Sequence, residues 1–166
     1  MLMRRRQFIT LSLAGLGIAA LAPYMTEVNA FAADIVGKLA LTNDEWKKRL
    51  TSQQYDILRK EGTEHPFTSA LLNEHRVGTF ACAGCDLPLF PSEFKFESGT
   101  GWPSFFDAIS SHLETQTDHK LMTPRTEYHC ARCGGHHGHV FNDGPAPTGL
   151  RYCNNGAVLK FIPKEA

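Results

Sequence analysis

Two C-x-x-C pairs, Cys82-Ala-Gly-Cys85 and Cys130-Ala-Arg-Cys133, with residues 86–129 between them, constrain this chain more than any other feature. Two intervening residues let both sulfurs of a tight turn face one point, about 2.3 Å from a zinc ion. Gly84 in one turn and Gly134 just after the other are read as the source of the backbone freedom such knuckles need. Four thiolates close a tetrahedron, so the spacing predicts one structural zinc ion that fastens distant strands of a small domain. Three other readings stand beside it. A thioredoxin-like redox pair lacks its strand-to-helix context. Two disulfides suit an oxidising compartment. A nucleic-acid-binding zinc ribbon is opposed by charge, because 17 basic residues meet 17 acidic ones and the net is zero.

The 166 residues suit one domain, and 42% hydrophobic with 10% aromatic content excludes a disordered chain. Residues 1–30 read as an export signal. Arg4, Arg5 and Arg6 precede an uncharged run from Phe8 to Ala22, shorter than the roughly 20 apolar residues of a membrane span. Pro23 follows, and Val28-Asn29-Ala30 offers a cleavage site. Arg5-Arg6-x-Phe8-Ile9 resembles a twin-arginine signal, which carries folded proteins into the bacterial periplasm. An uncleaved anchor and a general secretory signal are the alternatives. Removing this segment takes away three arginines and Glu27, leaving 14 basic and 16 acidic residues and a net charge near −2. No nucleic-acid partner is expected, and membrane contact only during export. Zinc bound before export would reconcile free thiolates with an oxidising periplasm. Residues 31–40 read as a linker and 41–166 as the folded domain.

Two short helices are expected to open that domain. Thr42-x-x-Glu45 and Thr51-x-x-Gln54 read as capping boxes, with Trp46 and Leu50 in one helix, Tyr55, Ile57 and Leu58 in the other, and Gly62 as a stop. Beyond Gly62, short runs are separated by Gly, Pro, Asp and Asn: Gly78–Ala81, Lys95–Glu97, Arg125–His129, His139–Phe141 and Ala157–Ile162. They predict a mainly β, antiparallel domain.

The fifth cysteine, Cys153, stands alone. A lone cysteine is more often an inert buried residue than a nucleophile, but its neighbours change the argument. Arg151 favours a thiolate electrostatically, and His136 and His139 are able to move protons near neutral pH. Metal ligation is the other reading of the histidines. Gly99-Thr100-Gly101-Trp102-Pro103-Ser104-Phe105, both C-x-x-C pairs, His136-x-Gly138-His139-Val140-Phe141-x-Asp143-Gly144-Pro145 and Thr148-Gly149-x-Arg151-Tyr152-Cys153-x-Asn155 together resemble the B-type peptide-methionine sulfoxide reductases, specific for the R epimer at sulfur. The likeness runs from about Leu41 to Pro163, with Gly62-Thr63-Glu64-x-Pro66-Phe67 adding to it.

The resemblance implies two antiparallel sheets flanked by short helices, with zinc on Cys82, Cys85, Cys130 and Cys133, away from the catalytic face. It implies Cys153 as nucleophile, with His136 and His139 activating the sulfoxide oxygen. Trp102 would hold the substrate methyl group, and Arg151, Asp143 and Asn155 would orient the site. The implied substrate is methionine R-sulfoxide, free or within oxidised proteins. Many relatives carry a resolving cysteine where this chain has Thr100, so the expected reductant of Cys153 is an external thiol or a thioredoxin-like protein. At position 137 relatives usually place leucine where this chain has His137. A noncatalytic zinc-stapled binding module is the alternative, with Cys153 buried and Trp102 in the core.

Overall fold

The computed structural model describes residues 36–165. The export signal read over residues 1–30 lies outside them. The first described residues run along the domain, where Val36 and Leu39 pack against the core and the Leu39 N–H donates to the Arg132 carbonyl.

Both capping boxes form. Thr42 opens α1 (Asn43–Arg49) and Thr51 opens α2 (Ser52–Lys60), each accepting from the N3 backbone while the N3 side chain reaches back. The helix stop differs from expectation, because Glu61, not Gly62, takes the left-handed conformation at φ 56°. Trp46, Ile57 and Leu58 face inward and are buried. The same helices reach the cysteine turns: Arg49, one turn beyond Trp46, donates to the Gly84 carbonyl and Arg59, stacked over the Trp46 ring, to that of Cys133.

Nine strands follow in two antiparallel sheets. β1 (Gly78–Cys82), β2 (Pro88–Pro91) and β9 (Leu159–Pro163) form a three-stranded sheet with β1 central. β3 (Lys95–Phe96), β4 (Ser104–Phe105), β5 (Leu113–Asp118), β6 (Arg125–Cys130), β7 (His136–Phe141) and β8 (Arg151–Asn154) form the other, ordered β3-β4-β8-β7-β6-β5. The expected mainly β architecture with two sheets and short leading helices is therefore what the chain adopts.

Alternation along the strands divides the six-stranded sheet into two chemically distinct faces. Phe105, Tyr128, Val140 and Tyr152 point into the core, where Phe90 stacks on Phe105 at 4.2 Å and Phe80 meets the same ring edge-on at 5.0 Å. The opposite face carries Asp118, Glu127, His139, Arg151 and Cys153, each joined to its neighbours by pairing or contact. Burying such rings contributes about 1.5–3 kcal/mol apiece, so the core face stabilises the sheet while the other face is free to carry polar chemistry.

Candidate functional site

The four cysteines of the two pairs converge. Cys82 closes β1 and Cys130 closes β6, so the cluster bridges the two sheets. Their sulfurs all lie within 4.8 Å of one another, with Cys82 3.7 Å from Cys133 and Cys85 3.4 Å from Cys130. A disulfide needs about 2.05 Å, and all four thiols are free. A tetrahedron with 2.3 Å metal–sulfur bonds has edges of about 3.8 Å, so the spacing fits a metal with this donor set. Both knuckles share one backbone form: Asp86 N–H donates to the Cys82 carbonyl and Gly134 N–H to that of Cys130, each at 2.8 Å. The left-handed residue is Asp86 (φ 59°) in the first and Gly134 (φ 64°) in the second. Gly84, expected to supply that freedom, serves instead to leave room for Leu58.

Cys153 sits far from this arrangement in function and environment. In the ladder it lies opposite Ser104 on one side and His139 on the other. It opens onto a pocket of about 140 Å³, lined also by Thr63, Trp102, Arg125, His139 and Phe141. That volume is well below the several hundred Å³ of ordinary cofactor sites, and suits the tip of one side chain. Trp102 forms a wall, its indole N–H donating to the Glu64 carbonyl at 3.2 Å. Glu64 is itself buried, accepting from the Gly156 and Ala157 amides while its own N–H donates to Asn155 Oδ1. Asn155 also donates to the His137 carbonyl. Asn155 therefore lines the pocket and pins the segment that holds Trp102.

Arg151 and Asp143 stand beside the pocket and do not line it. Arg151 donates through both Nε and Nη2 to Asp143, at 2.8 Å each, and its guanidinium lies 4.4 Å from the Phe141 ring. The expected thiolate-favouring effect of Arg151 is present but outweighed. Burial pushes the Cys153 thiol up, while Arg151 and the Thr100 hydroxyl draw it partly back. Thr100 bonds Ser98 at 2.9 Å, and Ser98 bonds Ser104 at 2.8 Å, a hydroxyl chain on the flank of the nucleophile.

The two histidines reach one face through a break in regularity. In an unbroken strand, residues 136 and 139 would point to opposite sides. β7 carries a bulge: Tyr128 pairs with Gly138 and His129 with His136, leaving His137 as the extra residue. His136 and His139 then lie side by side, ring centroids 5.5 Å apart. Gly138 is required here, because a Cβ would stand 1.9 Å from the Cys153 carbonyl oxygen. Only His139 lines the pocket; His136 stands behind it.

Each histidine is backed by a carboxylate absent from the sequence-based site. Asp118 Oδ2 accepts from His139 Nε2 at 2.9 Å and also from Arg125. The Lys120 backbone N–H, then His139 and Arg125, hold the Asp118 carboxyl well below the usual range. Glu127 Oε1 accepts from His136 Nδ1. Burial works against the Glu127 charge, yet Gln116 and the neighbouring histidines leave its pKa lowered. Burial brings His136 down to about 4, opposed by Glu127. The Glu127 bond places the His136 proton on Nδ1 and leaves Nε2 as an acceptor. A period-2 reading of Arg125-x-Glu127-x-His129 would have flagged Glu127; Asp118 has no comparable local signal, since a hairpin brings it to the site.

His137 points to the core face, fully buried and stacked with Tyr128 at 6.5 Å. Among the described residues neither of its ring nitrogens has a hydrogen-bond partner, and burial, opposed by the neighbouring Asn154, pushes its pKa down to about 3. Its position is therefore interior, which excludes a surface substitution.

A pocket-facing cysteine with a carboxylate-backed imidazole beside it defines a protein built around a nucleophilic cysteine. The SelR domain model matches residues 50–163. Peptide methionine sulfoxide reductase MsrB of Leptospira interrogans is 53% identical over 121 residues, 72% of this chain and 92% of that protein. The MsrB of Bradyrhizobium diazoefficiens is 49% identical over 128 residues, 76% of this chain and 92% of its own. The chloroplastic peptide methionine sulfoxide reductase B1 of Arabidopsis thaliana is 48% identical over 140 residues, 84% of this chain and 66% of its own. The chain belongs to the MsrB family of peptide methionine sulfoxide reductases.

Proposed function

We propose that this protein reduces the R form of methionine sulfoxide, free or within oxidised proteins, in the bacterial periplasm. The observation that carries the reading is that Cys153 shares with Trp102 and His139 the lining of one pocket the size of a side-chain tip. The substrate methyl group packs on Trp102, where sulfur-bearing groups interact favourably with an aromatic ring. The sulfoxide oxygen faces the histidines, and the sulfur faces Cys153. Three contacts on a tetrahedral sulfur select one hand, which agrees with the R preference implied by the family.

Chemistry follows from the polarity of the sulfoxide. Its sulfur is electron-poor, and hydrogen bonding or protonation of the oxygen completes the polarisation. Because burial favours the Cys153 thiol, the thiol proton moves toward the substrate oxygen through His139 as the sulfur attacks. The sulfur–oxygen bond of the substrate breaks, Cys153 becomes a sulfenic acid, and the thioether leaves. One external thiol condenses with the sulfenic acid, releasing water and leaving a mixed disulfide. A second thiol then attacks that disulfide, restoring Cys153 and leaving the reductant oxidised. The other four cysteines are gathered at the sheet junction, so resolution by a thioredoxin-like protein or small thiol is the reading they support.

Zinc is the metal we assign to those four cysteines, on the all-thiolate donor set and its tetrahedral spacing. When bound it joins β1 to β6 and takes no part in turnover. The arginine pair followed by an uncharged run supports folded export, with zinc acquired beforehand.

An assay with resolved R and S sulfoxides and dithiothreitol tests the proposal. Turnover of the R form alone, with a dimedone-trapped Cys153 after one equivalent of substrate, is expected. No turnover of either form by zinc-loaded protein would overturn it.

A further inference from the structure

We propose that Glu127, His129 and His136 form a second divalent-cation site, distinct from the four cysteines, whose occupancy withdraws His136 from proton transfer. The three ligand atoms lie within 4.8 Å of one another. Glu127 Oε1 is the shared centre, 2.9 Å from His129 Nε2 and bonded to His136 Nδ1. Its other oxygen accepts from Gln116 Nε2 at 3.2 Å, which fixes the carboxylate in this orientation as an outer partner fixes a metal ligand.

Strand geometry keeps this site apart from the cysteine cluster. Glu127 and His129 alternate with Tyr128 and Cys130 along β6, so the histidine–carboxylate set faces the side opposite the sulfurs. The bulge at His137 adds His136 to that same side. Two imidazoles and one carboxylate are the donors that suit zinc and its neighbours in the transition series, with a fourth position left for water. A tetrahedron with bonds of about 2.1 Å has edges of about 3.4 Å, so small side-chain rotations bring the three donors to an ion. Glu127 and His136 have side chains only 3% and 2% exposed, while His129 at 14% provides the way in.

Binding replaces two N–H···O hydrogen bonds with three coordinate bonds. Each imidazole shifts its proton to the other ring nitrogen, so no proton is lost overall. For His136 that means Nδ1 on the ion and a proton fixed on Nε2, where the free enzyme has an acceptor. A ring held this way no longer takes up a proton during turnover. This functional consequence rests on the reductase reading above; the binding itself does not.

Zinc is titrated into protein already carrying one zinc per chain, in a Cys153→Ser background that removes the competing thiol. A second equivalent is expected by calorimetry and native mass spectrometry. Cobalt at the same site should show a spectrum without sulfur-to-metal charge transfer. His129→Ala and Glu127→Gln should each weaken this second binding by about 100-fold or more. With Cys153 present, the second ion should slow sulfoxide reduction severalfold, and a weak chelator should restore it. His129→Ala should keep basal turnover and lose the inhibition. No second ion at millimolar zinc, unchanged affinity in His129→Ala, or sulfur ligation of cobalt would overturn the site. A second ion that binds without slowing turnover would overturn the withdrawal of His136. Wild-type protein inactive before any ion is added would instead defeat the reductase proposal and leave the binding results standing.

Discussion

Five cysteines occupy two kinds of surroundings in this protein, and the contrast explains how one element serves two purposes. At the junction of the sheets, four sulfurs are buried at mutual distances fit for one cation, each knuckle closed by a backbone hydrogen bond. On the polar face of the larger sheet, one sulfur opens on a small pocket with an indole and an imidazole beside it. Reactivity here is decided by company. Sulfurs that share a cation are held as structure, whereas a sulfur alone, part-buried and near proton carriers, is available to an electron-poor partner.

The strongest way to break this contrast is to exchange the roles by mutation. Cys153→Ser should lower sulfoxide reduction by about 10⁴-fold or more while leaving metal content and unfolding midpoint unchanged. Cys130→Ser should do the reverse in kind, losing the metal and on the order of 5 kcal/mol of stability, comparable with the whole margin of a small domain. Activity would then vanish only because the fold does, and denaturant melts distinguish that from a chemical defect.

Smaller changes sharpen the boundary around Cys153. Glu127→Gln should reduce kcat by about 10² and shift the acid limb of the pH–rate profile, because the His136 proton is no longer placed by a carboxylate. A purely structural role would change stability and leave the profile in place. His137→Leu should stabilise the protein by about 1–3 kcal/mol, since two unpaired buried nitrogens are removed. It should also flatten the acid sensitivity of the fold. The buried imidazoles of His136 and His137 have pKa values of about 4 and about 3, against 6.5 for the free side chain. As pH falls the unfolded chain takes up protons first, so stability is full above about 6.5 and declines toward 3–4. Calorimetric melts across that window measure the slope with and without His137.

Much of this organisation was legible in the residues because it is local. Capping boxes, C-x-x-C turns and Gly-punctuated strands each declare themselves within a few positions, and α1, α2, β1 and β6 lie close to where those signals place them. β2, β4, β5 and β8 were missed as strands. β4 is two residues long, and β5, Leu-Glu-Thr-Gln-Thr-Asp, is largely polar because it edges the sheet. At the site, Cys153, Trp102 and His139 were found by motif. Asp118 and Glu127 escaped because their meaning lies in cross-strand register, which decides their partners only once the hairpins close.

The additional residue in β7 settles a matter of parity. Along an extended chain, side chains an odd number of steps apart look in contrary directions, yet His136 and His139 are three steps apart and look the same way. Straightening the strand with His137 kept would undo this: His137 would take the place opposite His129, His136 would turn inward on the side of Tyr128, and Glu127 would lose its neighbour across the strand. A strand regularised in that way would keep every group that the chemistry requires and have half of its proton-handling pair pointing to the wrong side.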